Sequence, residues 1–150
     1  MTQMQSRPFI RGKVAIEPMR SNGYNNAAYA VAELIDNSIQ AEANSVQLLL
    51  IEKYSEGNRK RKLVNEIMVY DNGKGMTPSV LHSALEFGVS EHKKDKSGIG
   101  KFGMGLPNSS ISQCRRAEVW SWQKKGEYYF TYLDIDEMLS GNLEEIPMPK

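Results

Sequence analysis

Apolar residues recur along the chain in two rhythms, one typical of helices and one typical of strands. Within residues 24–42, Ala27, Val31, Ile35 and Ile39 return every four residues, which predicts an amphipathic helix. The runs "VQLLLIEKY" and "LVNEIMVY" are rich in branched aliphatic residues, and the polar, basic connector "SEGNRKRK" between them predicts a hairpin. A second hairpin is predicted from "AEVWSWQ" and "EYYFTYLDI", which "KKGE" joins.

Other segments carry helix or loop signals. In "TPSVLHSALEFG", Thr77 can cap a helix, Pro78 is tolerated in its first turn and Gly88 closes it. "DIDEMLSG" predicts a short helix, whereas "VSEHKKDKSG" is a charged loop. Because the strands come in hairpins and the helices are grouped apart from them, the pattern favours an α+β fold over a doubly wound parallel one. We expect a two-layer sandwich in which helices cover one face of a mixed β-sheet.

The chain length and charge limit the classes of protein to consider. The 150 residues suit one domain, which we expect at 23–150, preceded by an N-terminal arm at 1–22 with a short strand. The net charge of +1 gives no support for a nucleic-acid or membrane partner. The lone Cys114 suits a reducing compartment, and "MTQMQSRPFIRGK" lacks the apolar core of a signal peptide. We therefore expect a soluble intracellular protein, cytoplasmic or nuclear.

The first candidate site lies on the predicted helix at 24–42. Glu33 and Asn37 are four residues apart and therefore neighbours on one face. A carboxylate can act as a general base toward water, and an amide oxygen one turn away can bind a magnesium ion. The alternative is the solvated face of an amphipathic helix, which the pair taken alone favours.

The second candidate site is "DNGKGM" at 71–76, directly after a predicted strand. Asp71 could accept a hydrogen bond from an exocyclic amine of a bound ligand, and glycine lets backbone approach closely. Gly73 and Gly75 would serve a tight turn equally well. The motif alone leaves both interpretations open.

The third candidate site, "SGIGKFGMGL", has four glycines within eight residues ahead of a helix-compatible segment. Backbone N–H groups at such a place form an anion site, to which Lys101 could add charge, so phosphate binding is favoured over a flexible loop. The segment is not a P-loop, because Phe102 follows the lysine where Ser or Thr is required. It is not a dinucleotide fingerprint either, because a charged loop precedes it instead of a strand.

In this order the three sites resemble the GHKL nucleotide-binding domain of gyrase, the large heat-shock ATPase chaperones, histidine kinases and MutL, which has a Bergerat-type fold. The stretch "DNGKGMTPSVLHSALEFGVSEHKKDKSGIGKFGMGLPNSSIS" most resembles the microrchidia-type ATPases. The resemblance runs from about Tyr24 to Trp122. It implies a magnesium-dependent ATP-binding domain whose slow hydrolysis is coupled to lid closure and to N-terminal dimerisation.

The resemblance also implies a role for each residue that matches a family motif. Glu33 would polarise the attacking water, Asn37 would hold the Mg2+ that bridges the phosphates, and Asp71 would accept from the adenine amino group. The base would lie against the backbone of the "DNGKGM" turn and contact Gly73, Gly75 and Met76. The triphosphate would be wrapped by the glycine-rich segment, namely Gly98, Gly100, Lys101, Phe102, Gly103, Met104 and Gly105, with residues 89–97 as the lid.

Two other functions remain open. One is a nucleotide-gated interaction module that binds ATP or ADP without significant hydrolysis. The other is a histidine-kinase catalytic domain, which Glu33 counts against because such kinases typically lack this base. The family's sheet normally continues with a further strand, and a cation for the γ-phosphate often comes from a following domain. Neither lies within 1–150, so the resemblance implies an N-terminal fragment of a fold truncated at its C-terminus. A DNA or client partner of the longer protein stays undefined.

Overall fold

The computed structural model describes residues 12–21, 23–24, 26–57, 59–87 and 105–150. Within these ranges helices and antiparallel strands confirm the α+β class. In chain order the elements are α1 (Gly12–Ser21), α2 (Ala27–Gln40), β1 (Val46–Tyr54), β2 (Lys62–Asp71), α3 (Pro78–Ser83), α4 (Gly105–Gln113), β3 (Arg116–Ser121), β4 (Tyr129–Asp134) and α5 (Ile135–Ser140). In the described part of the chain, every helix is too short or too polar to cross a membrane.

Capping side chains explain where several helices begin and end. The Asn26 side chain accepts a hydrogen bond from the N–H of Ala28 at 2.8 Å, which starts α2. The Thr77 hydroxyl accepts from the N–H of Val80 and Pro78 occupies the first turn, so α3 begins where the sequence predicts. Gly141 ends α5 in the left-handed conformation, with a φ of 85°. However, α3 ends at Ser83, several residues before the predicted stop at Gly88.

The described strands form two separate antiparallel hairpins instead of the expected mixed sheet. β1 pairs with β2, placing Val46 opposite Asp71, and β3 pairs with β4. The ends of β2 and β3 do meet, since the ring centroids of Tyr70 and Trp122 lie 5.9 Å apart. The chain leaves β2 through a turn in which Gly75 has a φ of 66°, so β2 approaches β3 at its end and does not pair along its length.

The core lies between the helices and the β3–β4 hairpin. Its buried apolar residues are Ile16, Leu85, Ile111, Leu133 and Ile135. Ile16 belongs to α1, so residues 12–21 of the predicted arm form a helix, whereas the rest of the arm, where the short strand stays a prediction, lies outside the described residues. The reason for the helix is tertiary, since one apolar side chain of a mixed segment finds a place in the core. The helices α1 and α2 both pack on α4, which positions α2 for the candidate site.

Candidate functional site

Glu33 lies on α2, and its carboxylate packs against Gly105, the first residue of α4. A Cβ atom added to Gly105 would stand 2.0 Å from Glu33 Oε1, so glycine is what admits the carboxylate there. The other carboxylate oxygen, Oε2, accepts a hydrogen bond from the Tyr24 hydroxyl at 3.2 Å. Glu33 is half-buried.

Asn37 lies one turn after Glu33 on α2. Its Nδ2 atom is buried and, within the described ranges, has no hydrogen-bond partner. A buried amide donor without a partner costs about 1–3 kcal/mol, and a ligand that supplies an acceptor would remove this cost. The oxygen of the same amide is chemically a normal magnesium ligand. The donor set at Asn37 therefore fits a nucleotide that carries phosphate oxygens and Mg2+.

Asp71 is the last residue of β2, and both of its carboxylate oxygens have protein partners. Oδ2 accepts from the Ser38 hydroxyl at 2.9 Å, and Oδ1 accepts from the N–H of Gly73 at 2.8 Å. Ser38 follows Asn37 on α2 and is only 4% exposed. The carboxylate is thereby fixed between the helix and the turn before any ligand binds.

The "DNGKGM" turn packs between the end of α2 and the end of β3. A Cβ atom on Gly73 would lie 2.7 Å from the carbonyl oxygen of Ala41, and one on Gly75 would lie 2.0 Å from that of Trp122. The N–H of Met76 donates to the Ser121 hydroxyl at 2.7 Å. Both glycines are thus required by close approach to the protein's own backbone, which fixes the turn. Contacts of Gly73, Gly75 and Met76 with a bound base stay a prediction.

The predicted phosphate-binding segment is described only at its last residue. Gly105 is the first residue of α4 and contacts Glu33. The other residues predicted to wrap the triphosphate lie outside the described residues, namely Gly98, Gly100, Lys101, Phe102, Gly103 and Met104. The predicted lid at 89–97 lies outside them as well.

A cleft of about 530 Å³ opens beside Glu33. This volume is in the range of small-molecule sites, roughly 300–1,000 Å³. The residues that line it are Gly23, Tyr24, Asn26, Tyr29, Ala32, Glu33 and Asp36. Asp71 is not among them, and its anchor Ser38 lies five residues beyond Glu33, roughly 7.5 Å along the helix axis. The helix α2 thus carries Glu33 at the cleft and, further along, Ser38, which binds the Asp71 carboxylate at the end of β2.

Sequence reasoning missed two residues of this arrangement, Tyr24 and Ser38. Burial raises the pKa of the Tyr24 phenol, and the charge of Glu33 together with the hydrogen bond to it raises that pKa further. Tyr24 therefore stays protonated and able to donate at neutral pH. Neither residue has a local signal, because each acquires its partner only when the chain folds.

Comparison with known proteins identifies the family. Residues 24–149 match the family model described as histidine kinase-, DNA gyrase B-, and HSP90-like ATPase. Protein MICRORCHIDIA 6 of Arabidopsis thaliana is 30% identical over 131 residues, which are 85% of this chain and 19% of that protein. MORC family CW-type zinc finger protein 3 of Mus musculus is 34% identical over 103 residues, 65% of this chain and 10% of that protein.

A third relative, ATPase MORC2B of Mus musculus, is 29% identical over 104 residues, which are 67% of this chain and 10% of that protein. The predicted resemblance to microrchidia-type proteins is confirmed by these matches. The chain spans about a fifth or less of the length of the curated relatives it matches.

Proposed function

The chain belongs to the histidine kinase-, DNA gyrase B- and HSP90-like ATPase family, and on this premise we propose that it binds ATP with magnesium and contributes the general base for ATP hydrolysis. The observation that carries the proposal is the Asn37 amide on α2, whose buried Nδ2 atom has no partner among the described residues. Asn37 lies in the chain between Glu33 and Ser38, the residue that binds Asp71. The similarity to a relative named as an ATPase, MORC2B, supports hydrolysis over binding alone.

In the proposed mechanism each residue has a separate task. Asp71, already fixed by Ser38 and Gly73, accepts a hydrogen bond from the adenine amino group. Glu33 takes a proton from the attacking water, and Asn37 holds the magnesium ion. When bound, that ion neutralises charge on the phosphate oxygens. Gly73, Gly75 and Met76 contact the base, and the segment from Gly98 to Gly105 wraps the phosphates.

A finer proposal concerns the consequence of binding. Slow hydrolysis would be coupled to closure of residues 89–97 over the nucleotide and to pairing of two N-terminal domains. The support for this step is the family membership and the similarity to microrchidia proteins. Sedimentation of the protein with ADP and with a non-hydrolysable ATP analogue tests it, since only the analogue should give a dimer.

Calorimetric titration with ATP, in magnesium and then in EDTA, tests the binding proposal. We expect binding that weakens when magnesium is removed. A folded chain that binds no nucleotide would contradict it. Single-turnover hydrolysis by the intact protein separates an ATPase from the alternative, a nucleotide-gated interaction module. Binding without any turnover above that of Glu33→Gln would favour the module.

A further inference from the structure

Tyr24 carries none of the tasks above, yet it touches the proposed base directly. Its hydroxyl donates to Glu33 Oε2 at 3.2 Å, and both side chains line the 530 Å³ cleft. Tyr24 lies nine residues before Glu33, ahead of the first residue of α2. The contact therefore forms because the segment that leads into the helix folds back over its first turns.

The last turn of α4 holds Tyr24 in that position. Gln113 Nε2 donates to the backbone carbonyl of Tyr24 at 2.7 Å. The neighbouring Gly23 lies so close to α4 that a Cβ atom on it would stand 2.8 Å from Ser112 Cβ. The first residue of the same helix, Gly105, touches Glu33. One helix thus contacts the carboxylate directly at its start and through Tyr24 at its end.

These contacts constrain a side chain that is otherwise free to rotate. A glutamate loses rotamer entropy when it is fixed, so a base held in advance does not incur that cost during reaction. Burial raises the pKa of Tyr24, and among the described residues the carboxylates of Glu33 and Asp36 face the phenol and raise that pKa further. The hydroxyl therefore remains a donor over the neutral pH range.

We propose that Tyr24 is a positioning residue for ATP hydrolysis. Its hydroxyl holds the Glu33 carboxylate in the orientation that accepts a proton from water, and Gln113 holds Tyr24. The inference rests on the proposed function, because Glu33 must be the base for its orientation to affect the rate.

The contact itself is tested without nucleotide. NMR of protein with 13C-labelled tyrosine rings, in which Tyr24→Phe assigns the signal, follows the phenol through alkaline pH. In Glu33→Gln the pKa of Tyr24 should fall toward its ordinary value of 10.0, and in Asp36→Asn it should fall less. The same pKa in wild type and Glu33→Gln would overturn the proposal.

Steady-state kinetics of the intact protein test the role. Tyr24→Phe should lower kcat about 5- to 50-fold and leave the Kd for Mg-ATP within about twofold of wild type, because only the base is misplaced. Gln113→Ala should lower kcat less. The matched control is Tyr54→Phe, at the last residue of β1 in the β1–β2 hairpin. Tyr54 is 61% exposed, and this variant should behave as wild type.

The outcomes separate this inference from the proposed function. An unchanged kcat in Tyr24→Phe overturns the inference while the ATPase stands. A weaker Kd with unchanged kcat would make Tyr24 a nucleotide contact and also overturns it. A wild-type protein that neither binds nor hydrolyses ATP removes the proposed function and this inference together, even where the titration shows the contact.

Discussion

The surroundings of Glu33 and Asp71 differ in what holds each carboxylate. Both oxygens of Asp71 accept hydrogen bonds from the turn or from the 4%-exposed Ser38. Glu33 has one oxygen bonded to a tyrosine from outside the helix and the other against a glycine at the start of α4. A carboxylate that recognises a base benefits from a fixed orientation, whereas one that takes a proton from water needs access to a cleft. The difference teaches that one helix can fix one carboxylate through a buried hydroxyl at Ser38 and carry another, Glu33, at the edge of a cleft.

The largest effect should come from Glu33→Gln, which keeps the shape of the side chain and removes its basicity. We expect single-turnover hydrolysis to fall about 10²- to 10⁴-fold, the usual contribution of a general base. Nucleotide affinity should stay near that of wild type. Glu52→Gln on the exposed β1–β2 hairpin is the matched control and should leave both quantities unchanged. Affinity that collapses together with the rate would mean that Glu33 is structural or binds the metal.

The second effect should be a loss of nucleotide affinity in Asp71→Asn. The substitution removes a charge-assisted hydrogen bond to adenine, which should cost about 1.5–3 kcal/mol, or ~10- to 150-fold in Kd. At saturating ATP the hydrolysis rate should change far less. The preference for ATP over GTP, measured by competition, should narrow, and an undiminished preference would exclude Asp71 from base recognition.

Third, Gly75→Ala tests whether the turn that follows Asp71, between β2 and α3, is fixed by backbone contact. The alanine would face the Trp122 carbonyl oxygen at 2.0 Å and a φ of 66°, so we expect a loss of roughly 2–4 kcal/mol of stability. Gly126→Ala is the control, because Gly126 also has a positive φ, 88°, but no atom within 4 Å. It should lose only about 1–2 kcal/mol. Equal losses in thermal unfolding would show that the close approach is unimportant.

Ser38→Ala should have a smaller effect than Asp71→Asn, because it removes one of the two bonds that orient Asp71 and leaves the charge. A net loss of about 0.5–1.5 kcal/mol corresponds to ~2- to 10-fold weaker nucleotide binding. Ser83→Ala on α3 is a suitable control, since among the described residues the Ser83 hydroxyl bonds to carbonyls of its own helix. A Ser38→Ala protein that binds as wild type would show that Gly73 alone suffices to fix Asp71.

The smallest effect should be a loss of folding stability in Asp134→Asn, at the start of α5 and away from the candidate site. Asp134 accepts from the N–H groups of Asp136 and Glu137. The bond from Glu137 is the main cause of a lowered pKa of Asp134, and Arg116 adds to it. A lowered pKa stabilises the fold above the ordinary value of 3.8, and this contribution is lost as the pH falls through the folded-state pKa. Asp134→Asn keeps the cap and removes the charge, so it should cost about 0.3–0.5 kcal/mol at pH 7 and progressively less as the pH falls through the folded-state pKa. A loss that persists in acid unfolding experiments would contradict this.

Local signals in the sequence were sufficient for much of the fold. The four-residue apolar repeat predicts α2, Thr77 and Pro78 predict the start of α3, and the basic connector predicts the first hairpin. Three features depend on tertiary contacts and could not be predicted in this way. The α1 helix is stabilised where Ile16 reaches the core, Ser38 finds Asp71 across 33 positions, and the two hairpins meet only at their ends.

The strands differ in whether their apolar residues are buried as the sequence pattern suggests. In β4 the pattern and the structure agree, because Thr131 and Leu133 alternate into the core. In β1 the apolar run gives no burial, since Leu50 is 54% and Ile51 is 42% exposed. Composition predicted both strands correctly, but a run of aliphatic residues does not specify what packs against it.

Calorimetric titration of Mg-ATP into the wild type, Glu33→Gln and Asp71→Asn under one set of conditions tests most directly whether Asp71 recognises the base while Glu33 serves hydrolysis. We expect Glu33→Gln to bind Mg-ATP as the wild type does and Asp71→Asn to bind it ~10- to 150-fold more weakly. Equal affinity in all three proteins, or a loss confined to Glu33→Gln, would contradict this assignment.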